Sequence, residues 1–162
     1  MANDKLWAPW RAEFILKEKK KGCVFCKRLK NKDSVKNLIV YRGKNCFVIL
    51  NKFPYNTGHV MIVPVRHVGL LEKLRDDEAA EFMQLIQKTV AVFKKVLKPT
   101  SMNLGMNLGK ASGAGIPGHL HMHVVPRWSG DTNFMPVTSG TKVISIPLEP
   151  VYQALRQEFQ SP

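Results

Sequence analysis

The sequence predicts one α+β domain, and three of its features lead there. Short β-branched and aromatic runs occupy residues 38–65, a long segment of helical period begins at Asp76, and two further period-two runs precede a closing helix. A chain of 162 residues suits a single core, since domains run to roughly 100–200 residues. The 44% hydrophobic, 23% charged and 9% aromatic content is that of a globular protein and excludes disordered and collagen-like classes. No run reaches the roughly 18 uninterrupted apolar residues of a membrane span, and residues 1–10 lack the apolar core of a secretory signal. A cytoplasmic location without membrane association is therefore expected.

Taken in order, residues 13–21 (EFILKEKKK) are helix formers that end at Gly22, a residue suited to terminating a helix. Residues 38–41 and 46–50 flank the turn-like Arg42-Gly43-Lys44-Asn45 and form a predicted hairpin. A third run, 60–65, contains Pro64, which lacks an N–H for a ladder, so an edge strand or an interruption is expected there. Phe82, Leu85, Ile86, Val90, Phe93, Val96 and Leu97 follow the i, i+3, i+4, i+7 spacing of an amphipathic helix. Asp76 or Asp77 can cap its start, Lys94, Lys95 and Lys98 suit its C-terminal dipole, and Pro99 stops it. Residues 102–108 and 119–125 alternate at period two around a glycine-rich loop, and residues 151–159 form a short closing helix.

Lysine and arginine (25) outnumber aspartate and glutamate (12), and 13 of the basic residues but only 4 acidic ones fall in the first fifty positions. Such a local excess points to anionic partners: nucleotides, nucleic acid or an acidic surface. Three cysteines, an odd number, argue against a disulfide scaffold, while Cys23-Val24-Phe25-Cys26 suggests metal or thiol chemistry. Cys46 lies in an apolar run and is expected to be buried. Two glycine motifs fail on inspection. Gly113-Ala114-Gly115-Ile116-Pro117-Gly118 satisfies G-x-G-x-x-G, but a strand-like segment follows where a dinucleotide site needs a helix. Residues 105–110 fall one short of a P-loop and offer Ala111 in place of its Ser or Thr.

The informative segment is His119-Leu120-His121-Met122-His123-Val124-Val125-Pro126. On a strand, alternate side chains share a face, so the three imidazoles would stand in a row about 7 Å apart, with Leu120, Met122 and Val124 toward the core. Histidine has poor strand propensity and titrates near neutrality, which makes three of them an unusual choice for a solvated face. A flat row converges poorly on a tetrahedral ion. Covalent catalysis fits better: one neutral imidazole attacks phosphorus while a neighbour binds or protonates phosphate oxygens. Gly113, Gly115 and Gly118 would let backbone N–H groups approach an anion beside it.

The pattern His119-x-His121-x-His123, followed by apolar residues, resembles the histidine-triad nucleotide hydrolases and transferases. The resemblance runs from about Asn37 to Arg127 through Asn51, Asn56-Thr57-Gly58-His59-Val60, Pro64, His67 and Asn107. The stretches 50–59 and 126–134, with Trp7-Ala8-Pro9-Trp10-Arg11, are most similar to the diadenosine tetraphosphate phosphorylase branch. The resemblance implies the histidine-triad fold: a mainly antiparallel five-stranded sheet with one long helix and a short C-terminal helix, assembled as a homodimer. It implies a catalytic set of His119, His121 and His123, in which His121 attacks the α-phosphorus of a dinucleoside polyphosphate and forms a nucleotidyl-histidine. The main-chain carbonyl of His119 would take the Nδ1 proton of His121 and leave Nε2 free. His123 and Asn107 would contact phosphate, Asn51 the ribose, and His59, Gly115 and Ile116 complete the nucleotide-binding set. Gly115-Ile116 replaces the Gln-Ser or Gln-Thr pair of commoner branches, so phosphate contacts there fall to the backbone. The acceptor is inorganic phosphate or water.

The resemblance further implies a structural zinc on Cys23, Cys26, His67 and His119, a complete tetrahedral ligand set. A basic extension over residues 1–36 then precedes a histidine-triad domain over 37–162. Two alternatives stay open: a nucleoside phosphoramidase or plain hydrolase on the same residues, and a basic nucleotide- or RNA-binding module without useful turnover. Nucleic acid is the less expected partner, because no aromatic-interleaved motif accompanies the lysines of residues 17–32. Arg127, Trp128 and Asp131 either line the polyphosphate end of the pocket or form a packed loop with an Arg–Asp pair. Trp7 and Trp10 either stack on a base or partner or staple the extension to the core.

Overall fold

The computed structural model describes residues 22–133 and 143–161. Helix α1 (Val24–Leu29) leads into β1 (Ile39–Arg42), β2 (Cys46–Leu50) and β3 (Val60–Pro64), then helix α2 (Asp76–Val96), β4 (Ser101–Met106), β5 (Met122–Arg127) and helix α3 (Leu148–Gln160). The strands form one antiparallel sheet in the order β1-β2-β3-β5-β4. The expected helix over 13–21 and the tryptophans at 7 and 10 lie outside the described residues.

The β1–β2 hairpin forms where the turn residues predict it. A side chain at Gly43 would displace the Glu81 carboxylate, which reaches from α2 to accept the N–H groups of Asn45 (2.8 Å) and Cys46 (3.3 Å). Every residue of β2 is buried, including Cys46, whose thiol burial pushes up to about 12. Helix α2 packs across β2 and β3, and α3 packs against α2 and β1. Phe82, Leu85, Ile86 and Phe93 supply the inner face of α2, as their spacing predicts, and Val92 joins them, whereas Val90, Val96 and Leu97 are half-buried.

Four expectations are corrected. Strand β3 is interior, between β2 and β5, and not an edge, while the alternative of an interruption holds: the strand ends at Pro64, beyond Val60, Met61 and Ile62, which alone pair with β5. The missing N–H falls where that ladder has already ended. The triad does not share one strand: β5 begins at Met122, leaving His119 and His121 ahead of it, where the Leu120 N–H bonds the Val68 carbonyl at 2.7 Å. The cap of α2 is Arg75, with Asp76 as the first helical residue. Helix α3 starts three residues earlier than its apolar spacing suggests, because Pro150 falls in the first turn, where no backbone N–H is needed.

Glu78 organises the start of α2. It is 1% exposed and accepts Arg66 Nε (2.8 Å) and Nη2 (2.6 Å), Arg75 Nη2 (2.9 Å) and the Arg75 backbone N–H (3.0 Å). The Arg66 bond, followed by those of Arg75, outweighs the cost of burial and holds its carboxyl at about 2, below the ordinary 4.5. With the folded value depressed, the stabilisation is complete above about pH 5 and is lost as pH falls toward 2. Urea denaturation of Glu78→Gln should show a lower midpoint than wild type at pH 7. That gap should narrow steadily between pH 5 and pH 2.

Candidate active site and metal-binding cluster

Two sites meet at the segment that enters β5. On one side, Cys23, Cys26, His67 and His119 bring one donor atom each to within 4.8 Å of one another. Cys23 Sγ lies 3.2 Å from His119 Nδ1, Cys26 Sγ 3.7 Å from that atom and 3.4 Å from His67 Nδ1. A tetrahedral ion with bonds of about 2.0–2.3 Å separates its donors by roughly 3.3–3.8 Å, so these four side chains fit one. His119 Nε2–H donates to the Pro64 carbonyl at 2.8 Å, which leaves the Nδ1 lone pair toward the cluster. Burial holds this imidazole neutral, lowering it to about 4. The four residues can therefore hold a metal ion.

On the other side, two imidazoles face a shared cavity in opposite tautomers. His121 Nδ1–H donates to the main-chain carbonyl of His119 at 2.8 Å, so its Nε2 carries a lone pair. Burial lowers its basicity, partly offset by that bond, which favours the neutral nucleophilic form. His123 is set from behind by His59, which is fully buried. His59 Nδ1 accepts the Tyr55 N–H at 3.0 Å and lies 3.3 Å from the Asn51 amide nitrogen, so its proton resides on Nε2. That Nε2–H donates to His123 Nδ1 at 2.9 Å and places the proton of neutral His123 on its own Nε2. Burial first, then the two neighbouring imidazoles, keep His59 neutral, at about 3. The rings of His121 and His123 are 5.0 Å apart.

The cavity contains His121, His123, Asn51, Asn107, Gly115 and Ile116 in its lining, which brings together six of the residues expected to handle the nucleotide. His59 does not line it and reaches it only through His123. His119 faces the cluster and contributes to the cavity side through its backbone. The loop from 109 to 118 turns at Gly109 and Gly113, whose φ of +78° and +82° favour glycine, and no helix follows it. Arg127 and Asp131 form a two-pronged ion pair (2.6 and 2.8 Å), and Asp131 also accepts Asn56 Nδ2 at 2.7 Å. That pairing holds Asp131 well below the usual carboxylate range and ties the loop after β5 to the one before β3. Neither residue lines the cavity of His121.

Sequence reasoning missed one wall. Val24, Phe25 and Arg28 of α1 line the cavity, and the Phe25 ring packs on both His119 (5.4 Å) and His121 (5.3 Å). The available signal was the interleaving of Val24 and Phe25 between two candidate metal ligands, which couples any cluster to whatever those side chains touch.

The family model of the HIT domain matches residues 32–130. The chain is 47% identical over 122 residues to an AP-4-A phosphorylase of Mycobacterium tuberculosis, a match covering 75% of this chain and 63% of that protein. The chain thus spans less than two thirds of the length of those relatives. Its fold is that of a histidine triad nucleotide-binding protein of Sulfolobus tokodaii (TM-score 0.68, 22% identity, 85% and 92% of the two chains covered). It is also that of a zinc-bound histidine triad family protein of Mycobacterium smegmatis (TM-score 0.66, 24% identity, the same coverages). With more than half of its length and the whole of its triad inside the matched segment, the chain belongs to the HIT domain family.

Proposed function

We propose that the protein is a nucleotidyltransferase that cleaves dinucleoside polyphosphates, diadenosine tetraphosphate foremost, and passes the nucleotide to inorganic phosphate. The observation that carries this reading is the pair of adjacent imidazoles with opposite Nε2 states in one cavity. His121 Nε2 attacks the α-phosphorus, and the bond from that phosphorus to the bridging oxygen breaks, with the electron pair leaving on ATP. His123 Nε2–H donates to the phosphate oxygens as charge builds on them. In the second step a phosphate oxygen attacks the nucleotidyl-histidine, the P–N bond breaks back to His121, and ADP departs. Water in that role gives AMP. The similarity to the phosphorylase of M. tuberculosis favours phosphate.

The same reading assigns zinc to Cys23, Cys26, His67 and His119, whose two thiolates and two imidazoles suit that ion. Bound there, zinc supplies structure, with no open position needed for chemistry. A homodimer also belongs to it: β4 is an edge strand with Leu104 46% exposed, a surface on which a second copy can pair.

Three measurements test the reading. Incubation with diadenosine tetraphosphate should yield ATP plus ADP only when phosphate is present, and ATP plus AMP in phosphate-free buffer would reassign the protein as a hydrolase; His121→Ala should lower turnover by at least roughly 10⁴-fold in either case. His59→Phe keeps a planar ring but removes the Nε2 donor, so kcat should fall about a hundredfold with KM little changed; an unchanged kcat would discard the tautomer relay. Elemental analysis of Cys23→Ser/Cys26→Ser should show loss of one zinc per chain, accompanied by weaker nucleotide binding because Val24 and Phe25 move with the cluster. Undiminished metal content would remove these ligands.

A further inference from the structure

The two thiols of the metal-binding cluster differ chemically from the third. Cys46 is fully buried and donates to the main-chain carbonyl of Glu78 at 3.7 Å, and burial, followed by the nearby carboxylates, pushes it up to about 12. A thiol so placed is inert. Cys23 and Cys26 are half-buried, and beside them His67 is exposed, so the cluster is open to solvent on that side. Binding to an ion keeps both as thiolates, the form that attacks electrophiles. Their sulfurs lie within 4.8 Å of each other, within reach of a direct bond once the ion between them is gone. Cys23 caps α1 and Cys26 stands in its first turn, the Cys-x-x-Cys spacing that redox-active pairs use.

The residues between the two thiols join them to the cavity. Phe25 is 1% exposed, and its ring lies 5.4 Å from that of His119 and 5.3 Å from that of His121. Together with Val24 it lines the cavity of His121. A six-residue helix has little stability of its own, so the position of this wall depends on what ties the helix down. Two thiolates on one ion stand about 3.8 Å apart, whereas a disulfide holds them at about 2.05 Å. Closing that gap draws both sulfurs from His67 and His119, and the backbone that carries Phe25 shifts with them.

We propose that Cys23 and Cys26 form a peroxide-reactive dithiol, whose oxidation to a disulfide expels the metal ion and displaces the Phe25 wall from His121. One thiolate attacks an oxygen of hydrogen peroxide, the O–O bond breaks, and the departing hydroxide takes a proton from solvent to leave as water. The second thiolate attacks the resulting sulfenic sulfur. The S–S bond forms as the S–O bond breaks, and the second oxygen also leaves as water with a solvent proton. The two sulfurs lose two electrons between them, and the peroxide gains both. The ion keeps its charge and departs because half of its ligands are gone. His119 retains its bond to the Pro64 carbonyl and its carbonyl retains His121 Nδ1–H, since neither bond involves sulfur. Oxidation therefore acts on the binding wall, while the tautomer of the nucleophile is kept.

This inference rests on the metal and nucleotide readings above, and titration of the full zinc-loaded chain with hydrogen peroxide tests it separately from them. A chromophoric chelator reports released zinc, and calorimetry gives the AMP affinity before and after. Equimolar peroxide should release one zinc per chain and lower the free thiols, counted after denaturation, from three to one. The tryptic peptide 22–27, which holds both Cys23 and Cys26, should lose two hydrogens while Cys46 remains open to alkylation in the unfolded chain. AMP affinity should fall about tenfold and return with dithiothreitol plus zinc. In Cys23→Ser/Cys26→Ser the affinity should be low from the start and unmoved by peroxide. Zinc retained through excess peroxide, oxidation at Cys46 in place of the pair, or undiminished AMP affinity in the disulfide form each overturns the proposal while leaving the metal ligands and the nucleotide site standing. A wild-type chain that takes up no zinc overturns the metal reading and the proposal with it. A zinc-loaded chain that binds no AMP overturns the nucleotide reading, and with it the link from dithiol to cavity.

Discussion

The site hangs on His119, a histidine that never faces the cavity. Its Nδ1 points to two cysteines, its Nε2–H is spent on the Pro64 carbonyl, and its own carbonyl accepts Nδ1–H of His121. One residue thereby fixes the metal-binding cluster, the end of β3 and the tautomer of the histidine placed to react. The arrangement needs a backbone that leaves the ladder, which is why β5 begins only at Met122. Had His119 and His121 stayed on the strand, both side chains would share one face and the division of labour between cluster and cavity would vanish.

The second constraint is desolvation. Four buried or half-buried imidazoles lie side by side, and burial keeps His59, His119 and His121 from charging despite a strongly basic chain. Neutral rings have one donor and one acceptor each, so a single backbone N–H at Tyr55 dictates proton positions two rings away. Specific chemistry arises from direction rather than from net charge. The basic surplus along α1 and the segment after it is a separate, longer-range field that favours anions in general.

Much of this was legible in the sequence, for identifiable reasons. Helix α2 announces itself because its apolar residues must meet β2 and β3 at helical period, and the β1–β2 hairpin because two β-branched and aromatic runs flank the turn residues Arg42-Gly43-Lys44-Asn45. The triad and the cysteine pair stand out by residue type. What stayed hidden depends on tertiary closure. The interior place of β3 could not be inferred, since the limited pairing of β5 that accommodates Pro64 is set by a distant strand. His59 reads as one more polar group near the nucleotide until its complete burial behind His123 is seen. The wall formed by Val24, Phe25 and Arg28 is equally invisible, because nothing local says that a six-residue helix folds back over the cavity.

The cluster gathers atoms from three remote parts of the chain: Cys26 meets His67 across 41 positions and His119 across 93. An ion held there is a reversible cross-link, closing long loops that an unfolded chain would otherwise explore freely. Unlike a disulfide, such a staple survives a reducing milieu and dissolves when the ion is withdrawn. Abundance of the folded protein would then track the supply of that ion.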